Sequence, residues 1–237
     1  MKRLKSILVI SLLLNGISLF FLITGLYSGE IPKKIRSLTH TPKSKYFMGK
    51  DLVFAALPKD SNAIVFLGDS HTEHFYLHEL LGNTHLQNRG ISSDRLRGIL
   101  KRLDPILASQ PEKIFIQAGI NDLGTGGRLD TIRAQYMRLI DILKTGSPRS
   151  KLYVQSLFPV DNKLGSAYCN PAVNQAVVEL NRFLKAQATQ QGYTFIDIYS
   201  TLAQDGKLNP LYAFDGVHLT AEGYLEWAKL VKPYVAE

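Results

Sequence analysis

Cysteine is almost absent from this 237-residue chain: Cys169 stands alone, so no disulfide can close within it. That fits a reduced compartment, and equally an exported domain whose core is large enough to need no covalent staple. Asn170 and Pro171 follow Cys169 and no His or Asp stands near it, so it reads as an inert thiol rather than a nucleophile. Acid is scarce at the start of the chain. Residues 1–50 hold nine of the 28 Lys and Arg but only one, Glu30, of the 20 Asp and Glu. Residues 51–237 therefore balance at 19 basic and 19 acidic. The formal charge of +8 gives no support for a nucleic-acid partner once it is mapped. Repeats and low-complexity tracts are also missing. With 45% hydrophobic and 20% charged residues, disorder throughout is excluded, and one well-buried domain with an appendage fits the length.

Charge is absent from residues 7–27. As a helix this run would span about 30 Å, the thickness of a bilayer core. It exceeds the usual length of a signal-peptide apolar region, and Leu26-Tyr27-Ser28 is a weak cleavage site. Residues 1–28 therefore read as an uncleaved membrane anchor in preference to a signal segment. Lys2, Arg3 and Lys5 favour a cytoplasmic N-terminus, with the body periplasmic or at the cell surface. Lys33, Lys34, Arg36, Lys43 and Lys45 on the far side reduce that asymmetry. Residues 29–60, punctuated by Pro32, Pro42 and Pro58, read as a basic linker with one short helix at 49–56.

From residue 61 to 237 short apolar runs alternate with helical stretches. Strands are predicted at 63–67, 84–87, 113–117, 151–156 and 194–198. Helices are predicted at 93–107, 129–144, 171–190 and 221–234. Continuous apolar strands alternating with helices predict an α/β fold, with a parallel sheet of about five strands covered on both faces. Ligands bind such sheets beyond the carboxyl ends of the strands. Gly68-Asp69-Ser70 follows the first strand, Arg89-Gly90 the second and residues 119–122 the third, so all three loops share one edge.

Ser70 follows a buried strand, where Gly68 lets the chain turn. Alone it reads as a helix cap. Asp215 and His218 share one short loop before the last helix, a spacing that lets a carboxylate steady an imidazole. Alone they read as a turn. His74 and His78, four apart beside His71, suggest a zinc site, but no third ligand and no HExxH motif accompany them. A polar helix face, with Tyr76, Leu77 and Leu80 packing, is the ordinary account, and no metal is expected. Tyr224 and Trp227 are expected in the core.

Four blocks in order change the odds: GDS at 68–70, the glycine of NRGIS at 90, GIND at 119–122 and DGVHL at 215–219. Together they resemble the SGNH (GDSL-type) hydrolase family over residues 62–236. The runs NRGIS, KIFIQAGIND and YVQSLFPV are most similar to its platelet-activating-factor acetylhydrolase-like branch. The resemblance implies a three-layer α/β/α, flavodoxin-like sandwich without metal or organic cofactor. It implies Ser70 as nucleophile, His218 as base and Asp215 as its orienter. It places the oxyanion donors at Ser70, Gly90 and Asn121. Asp69 and Asp122 are expected to hold loops. His71 departs from the apolar residue common at that position, and could line the pocket or perturb the serine.

The expected activity is serine-esterase hydrolysis of a small acyl ester, such as an acetylated envelope glycan or a lysolipid, through an acyl-enzyme. Acyl transfer with the same serine, or a non-catalytic binding module on the same fold, are the alternatives. Tyr76, Phe158, residues 161–171 and residues 211–214 are expected to set the pocket.

Overall fold

A computed structural model describes residues 43–161 and 171–237. The predicted anchor, residues 29–42 of the linker, Cys169 and most of the 161–171 loop lie outside the described residues. The chain divides into two units, Met1–Lys50 and Asp51–Glu237. In chain order the elements are α1 (Lys43–Ala56), β1 (Ile64–Gly68), α2 (Ser70–Glu73), α3 (Leu77–Leu81), β2 (Leu86–Gly90), α4 (Leu96–Ile99), α5 (Asp104–Ser109), β3 (Lys113–Gln117), α6 (Ile120–Gly124), α7 (Leu129–Gly146), β4 (Lys151–Gln155), α8 (Pro171–Gln191), β5 (Thr194–Ile196), α9 (Tyr199–Leu202), β6 (Ala203–Gln204), β7 (Lys207–Leu208) and α10 (Ala221–Ala236). No helix among the described residues is long and apolar enough to cross a membrane.

The five longer strands form one parallel sheet in the order β2-β1-β3-β4-β5. The expected sheet and its helical cover are therefore present. Every residue of β1 and β3 is buried, as a sheet covered on both faces requires. Alternate residues serve the two faces. Val65, Leu67, Ile114, Ile116 and Val154 meet a largely aliphatic layer from α7 and α8. The opposite face is aromatic. Phe66, Phe115 and Tyr153 stack across three strands with centroids 4.5 Å apart at each step. They are covered by Leu77, Leu81, Trp227 and Val231 from α3 and α10. Trp227 is fully buried and donates its indole N–H to Gln155 Oε1 at 2.6 Å. Tyr224 is buried beside it, so both are core residues as expected.

Boundaries differ from the sequence reading where local chemistry outweighs apolar spacing. The helix predicted at 93–107 is two short helices, α4 and α5. Pro105 opens the second, where its missing N–H costs nothing, rather than continuing the first. The break turns Arg102 inward, where it is buried. The second strand lies at Leu86–Gly90, two residues later than predicted, and α1 starts earlier than the predicted 49. β6 and β7 form an unpredicted hairpin through Asp205 and Gly206, both at positive φ. Asp-Gly is the favoured pair for such a turn.

Strand β1 lies between β2 and β3, so the winding direction reverses beside it. Ser70, at its carboxyl end, thus occupies the switch point where such sheets bind ligands.

Candidate active site

Two glycines seat Ser70, and space rather than backbone freedom selects them. A Cβ on Gly68 would meet Thr72 Oγ1 at 2.1 Å and the Gln117 carbonyl at 2.3 Å. One on Gly90 would meet Glu73 N at 2.2 Å. Neither has positive φ, so Gly68 is a packing requirement and not the turn glycine read from the sequence. Asp69 caps the short helix α2 by accepting the His71 N–H at 3.1 Å.

The structure brings Ser70, His218 and Asp215 together from positions 148 and three residues apart. Ser70 Oγ lies 3.0 Å from His218 Nε2. Asp215 Oδ2 lies 2.7 Å from His218 Nδ1. A carboxylate only accepts, so Nδ1 carries the proton and Nε2 is free to take one from the serine. Asp215 Oδ1 accepts the Val217 and His218 N–H groups at 3.0 and 2.8 Å. Partial burial pushes the Asp215 carboxyl up, but the hydrogen bonds from His218 and Val217 outweigh it and hold it below the ordinary carboxylate range.

Asn121 is buried on α6, after Gly119 makes the turn from β3 at φ 119°. Its Nδ2 donates one hydrogen to the Asp94 carbonyl at 3.0 Å, and the second hydrogen remains for a ligand. Asp94 in turn accepts from Arg102 Nε at 2.8 Å, and Arg102 also donates to the Gly68 carbonyl at 3.0 Å. Arg102 thereby links the turn before the nucleophile to the loop that holds Asn121. Burial pushes the Asp94 carboxyl up to about 6, with Arg102 opposing the shift. Asp122 Oδ2 accepts the Leu96 N–H at 3.1 Å, so it and Asp69 do fasten backbone.

The Gly90 N–H donates to Asn88 Oδ1 at 2.8 Å. The neighbouring Ser92 N–H is held by Glu73 Oε2 at 2.6 Å. Between Ser92 and Asp94, Ser93 sits at φ 65°, and its N–H has no acceptor among the described residues. A non-glycine residue in this left-handed region is strained; Gln110 and Asp205 share it elsewhere in the fold.

His71 does not line an open pocket. It is buried, and its Nε2 donates to the Val217 carbonyl at 2.8 Å, inside the loop that carries Asp215 and His218. Its Nδ1 lies 3.4 Å from Asp69 Oδ1. Burial pulls the imidazole down, but the Asp69 carboxylate and the Val217 carbonyl reverse this and hold it above its ordinary value. His74 and His78 go elsewhere. The His74 ring lies 5.6 Å from that of His218, and His78 Nδ1 lies 3.2 Å from the Asn83 carbonyl. Among the described residues no three His, Cys, Asp or Glu side chains converge as a metal site. Of the residues expected to set the pocket, Tyr76 and Phe214 line a groove beside His218, whereas Phe158 is buried in the core and Leu211 lies outside the groove; Tyr76, 68% exposed, does not pack as a core residue.

Residues 65–225 match the GDSL-like lipase/acylhydrolase family. Among solved structures, the chain is similar to a Streptococcus pneumoniae protein provisionally named a platelet activating factor. That likeness has 22% identity and a TM-score of 0.76, covering 86% of this chain and 100% of the other. A GDSL-like lipase from Bacteroides thetaiotaomicron matches at 24% identity and TM-score 0.71, over 80% of this chain and 97% of that one. At these identities the likeness shows the fold. The N-acylneuraminate cytidylyltransferase of Streptococcus agalactiae is 26% identical over 159 residues, 67% of this chain. The chain spans only 35% of that curated relative's length.

Proposed function

The chain belongs to the GDSL-like lipase/acylhydrolase family and is an ester hydrolase; from that premise we propose that it cleaves acyl esters with Ser70 as nucleophile, His218 as general base and Asp215 as orienter. The observation that carries this reading is the unbroken line from Asp215 Oδ2 through His218 to Ser70 Oγ at 2.7 and 3.0 Å. His218 Nε2 takes the hydroxyl proton as Oγ bonds to the ester carbonyl carbon. The resulting oxyanion is met by the Ser70 N–H, the second Asn121 amide hydrogen and the Gly90 N–H. The Gly90 N–H is held by Asn88 Oδ1 at 2.8 Å, a bond it would exchange for the stronger one to the oxyanion. Collapse breaks the carbon–oxygen bond to the alcohol, which leaves with the proton from His218. Water then attacks the acyl-enzyme, giving its proton to His218, and the carboxylic acid departs as Oγ recovers a proton.

A fluorophosphonate tests the assignment directly. The intact protein is expected to be labelled at Ser70, and Ser70→Ala to lose both label and p-nitrophenyl acetate hydrolysis. A folded protein left unlabelled at Ser70 defeats the nucleophile. The apolar run at 7–27 and the basic residues before it support an anchored enzyme with its site outside the cytoplasm, acting on envelope esters. Alkaline phosphatase fused after Pro58 is then expected to be active, and an inactive fusion defeats that placement.

A further inference from the structure

An apolar groove of about 560 Å³ has His218 in its lining. Its walls are Tyr76 and Leu80 from the segment after the nucleophile, Phe214 and Leu219 from the loop around His218, and Leu225 from α10. Tyr76 is 68% exposed and Phe214 is 74% exposed. Large apolar side chains gathered in water around one concavity mark a place for a partner, because leaving them solvated is unfavourable. The volume is in the range of sites that enclose a drug-sized ligand, far beyond what an acetyl group fills. His74 and Glu79 add the few polar groups at its edge, too few to satisfy the many hydroxyls of a sugar.

The chemistry fixes which half of an ester lies here. His218 must return its proton to the departing alkoxide, so the alcohol half lies on the imidazole's side of Ser70 Oγ. The carbonyl oxygen faces the donors instead. The groove is walled by His218, and neither Asn121 nor Gly90 lines it. We infer that this groove receives the alcohol half of the substrate, and that this half is rich in hydrocarbon rather than a sugar. The inference rests on the esterase reading above and narrows its substrate class. A hydrophobic alcohol displaces water from Tyr76, Phe214 and Leu225 as it seats, and its oxygen is left within reach of His218 Nε2.

Two ester series separate the halves: acetates of linear alcohols from methyl to octyl, and methyl esters of linear acids from acetyl to octanoyl. With the full chain, kcat/KM is expected to rise along the alcohol series by roughly two- to fourfold per methylene, the range set by burying each one partly or fully. The acyl series is expected to lack that rise. Phe214→Ala and Tyr76→Ala, both at exposed positions that folding tolerates, are each expected to lower the octyl-to-methyl ratio by about tenfold, the effect of losing one wall. Leu211→Ala, exposed but outside the groove, is expected to leave the ratio unchanged. A rise confined to the acyl series overturns the inference. So does faster turnover of acetylated sugars than of octyl acetate, or an undiminished ratio in both groove variants. Labelled Ser70 with no dependence on alcohol length defeats the groove assignment alone. No label together with no hydrolysis of any ester defeats the esterase reading as well.

Discussion

The two sides of Ser70 are built on opposite rules. On the donor side Asp69, Asp94, Arg102, Asn121 and Asp122 are all buried, and each is tied to a named backbone or side-chain partner. On the groove side Tyr76, Phe214 and Leu225 leave carbon in water. Buried polar groups held by such bonds are rigid, and rigidity is what transition-state donors require. Exposed carbon has no geometry to defend, and gains only when something covers it. Rate and substrate choice are therefore assigned to different walls, so a variant on one wall should leave the other's signature intact.

Arg102→Ala should break the polar wall most severely. It leaves the Asp94 carboxylate buried without its cation, a loss of about 3–5 kcal/mol at pH 7. The sign with pH follows from Asp94, pushed up to about 6. The folded protein holds that proton more tightly than the unfolded chain, so stability falls as pH rises through about 6. Urea midpoints should therefore differ less between wild type and variant at pH 5 than at pH 7, and an equal gap at both counts against the account.

Asn121→Ala should lower kcat by roughly 10²–10³, the value of one oxyanion donor, while preserving whatever preference the groove expresses. A variant that changes the order of preferred esters would show that the two walls are not separable.

His71→Leu restores an apolar residue next to the nucleophile but removes the donor to the Val217 carbonyl. Steady-state kinetics should show kcat down about tenfold, in keeping with one lost positioning hydrogen bond to a reacting loop, with KM nearly unchanged. An equal change in KM would place His71 among binding groups instead.

Ser93→Gly is the gentlest probe. It keeps the N–H and relieves the φ of 65°, so thermal denaturation should show a gain of about 1 kcal/mol with kcat retained. A loss of activity would mean that the Ser93 hydroxyl, and not its backbone, matters.

Much of this was legible in the chain. Runs such as IVFLG and KIFIQ announce buried parallel strands because both faces must be apolar. Once those strands are placed, Ser70, Asn121 and the 215–218 loop fall on one edge. Two kinds of information were hidden. The first is backbone: neither the bond from Gly90 N–H to Asn88 Oδ1 nor the left-handed φ of Ser93 is announced by the residue types. The second is long-range polarity. Arg102 sits in a stretch with helical spacing, and only Pro105 hints that the helix breaks and turns the guanidinium inward. Asp205-Gly206 was a readable hairpin signal that the surrounding polar residues disguised. His71 looked like a neighbour of the nucleophile, but its partner, the Val217 carbonyl, is 146 positions away.

The aromatic half of the core waits for α10, which brings Trp227 long after Phe66 and Phe115 have been made. Ser70 and His218 are likewise separated by 148 positions. At about 5–20 residues per second, a ribosome takes about 7–30 s to cover that distance. During that interval the nascent chain carries the proposed nucleophile without its proposed base, and Phe66, Phe115 and Tyr153 without the cover of α10. On the reading above the triad stays incomplete, and the aromatic face open to misassociation, until α10 emerges.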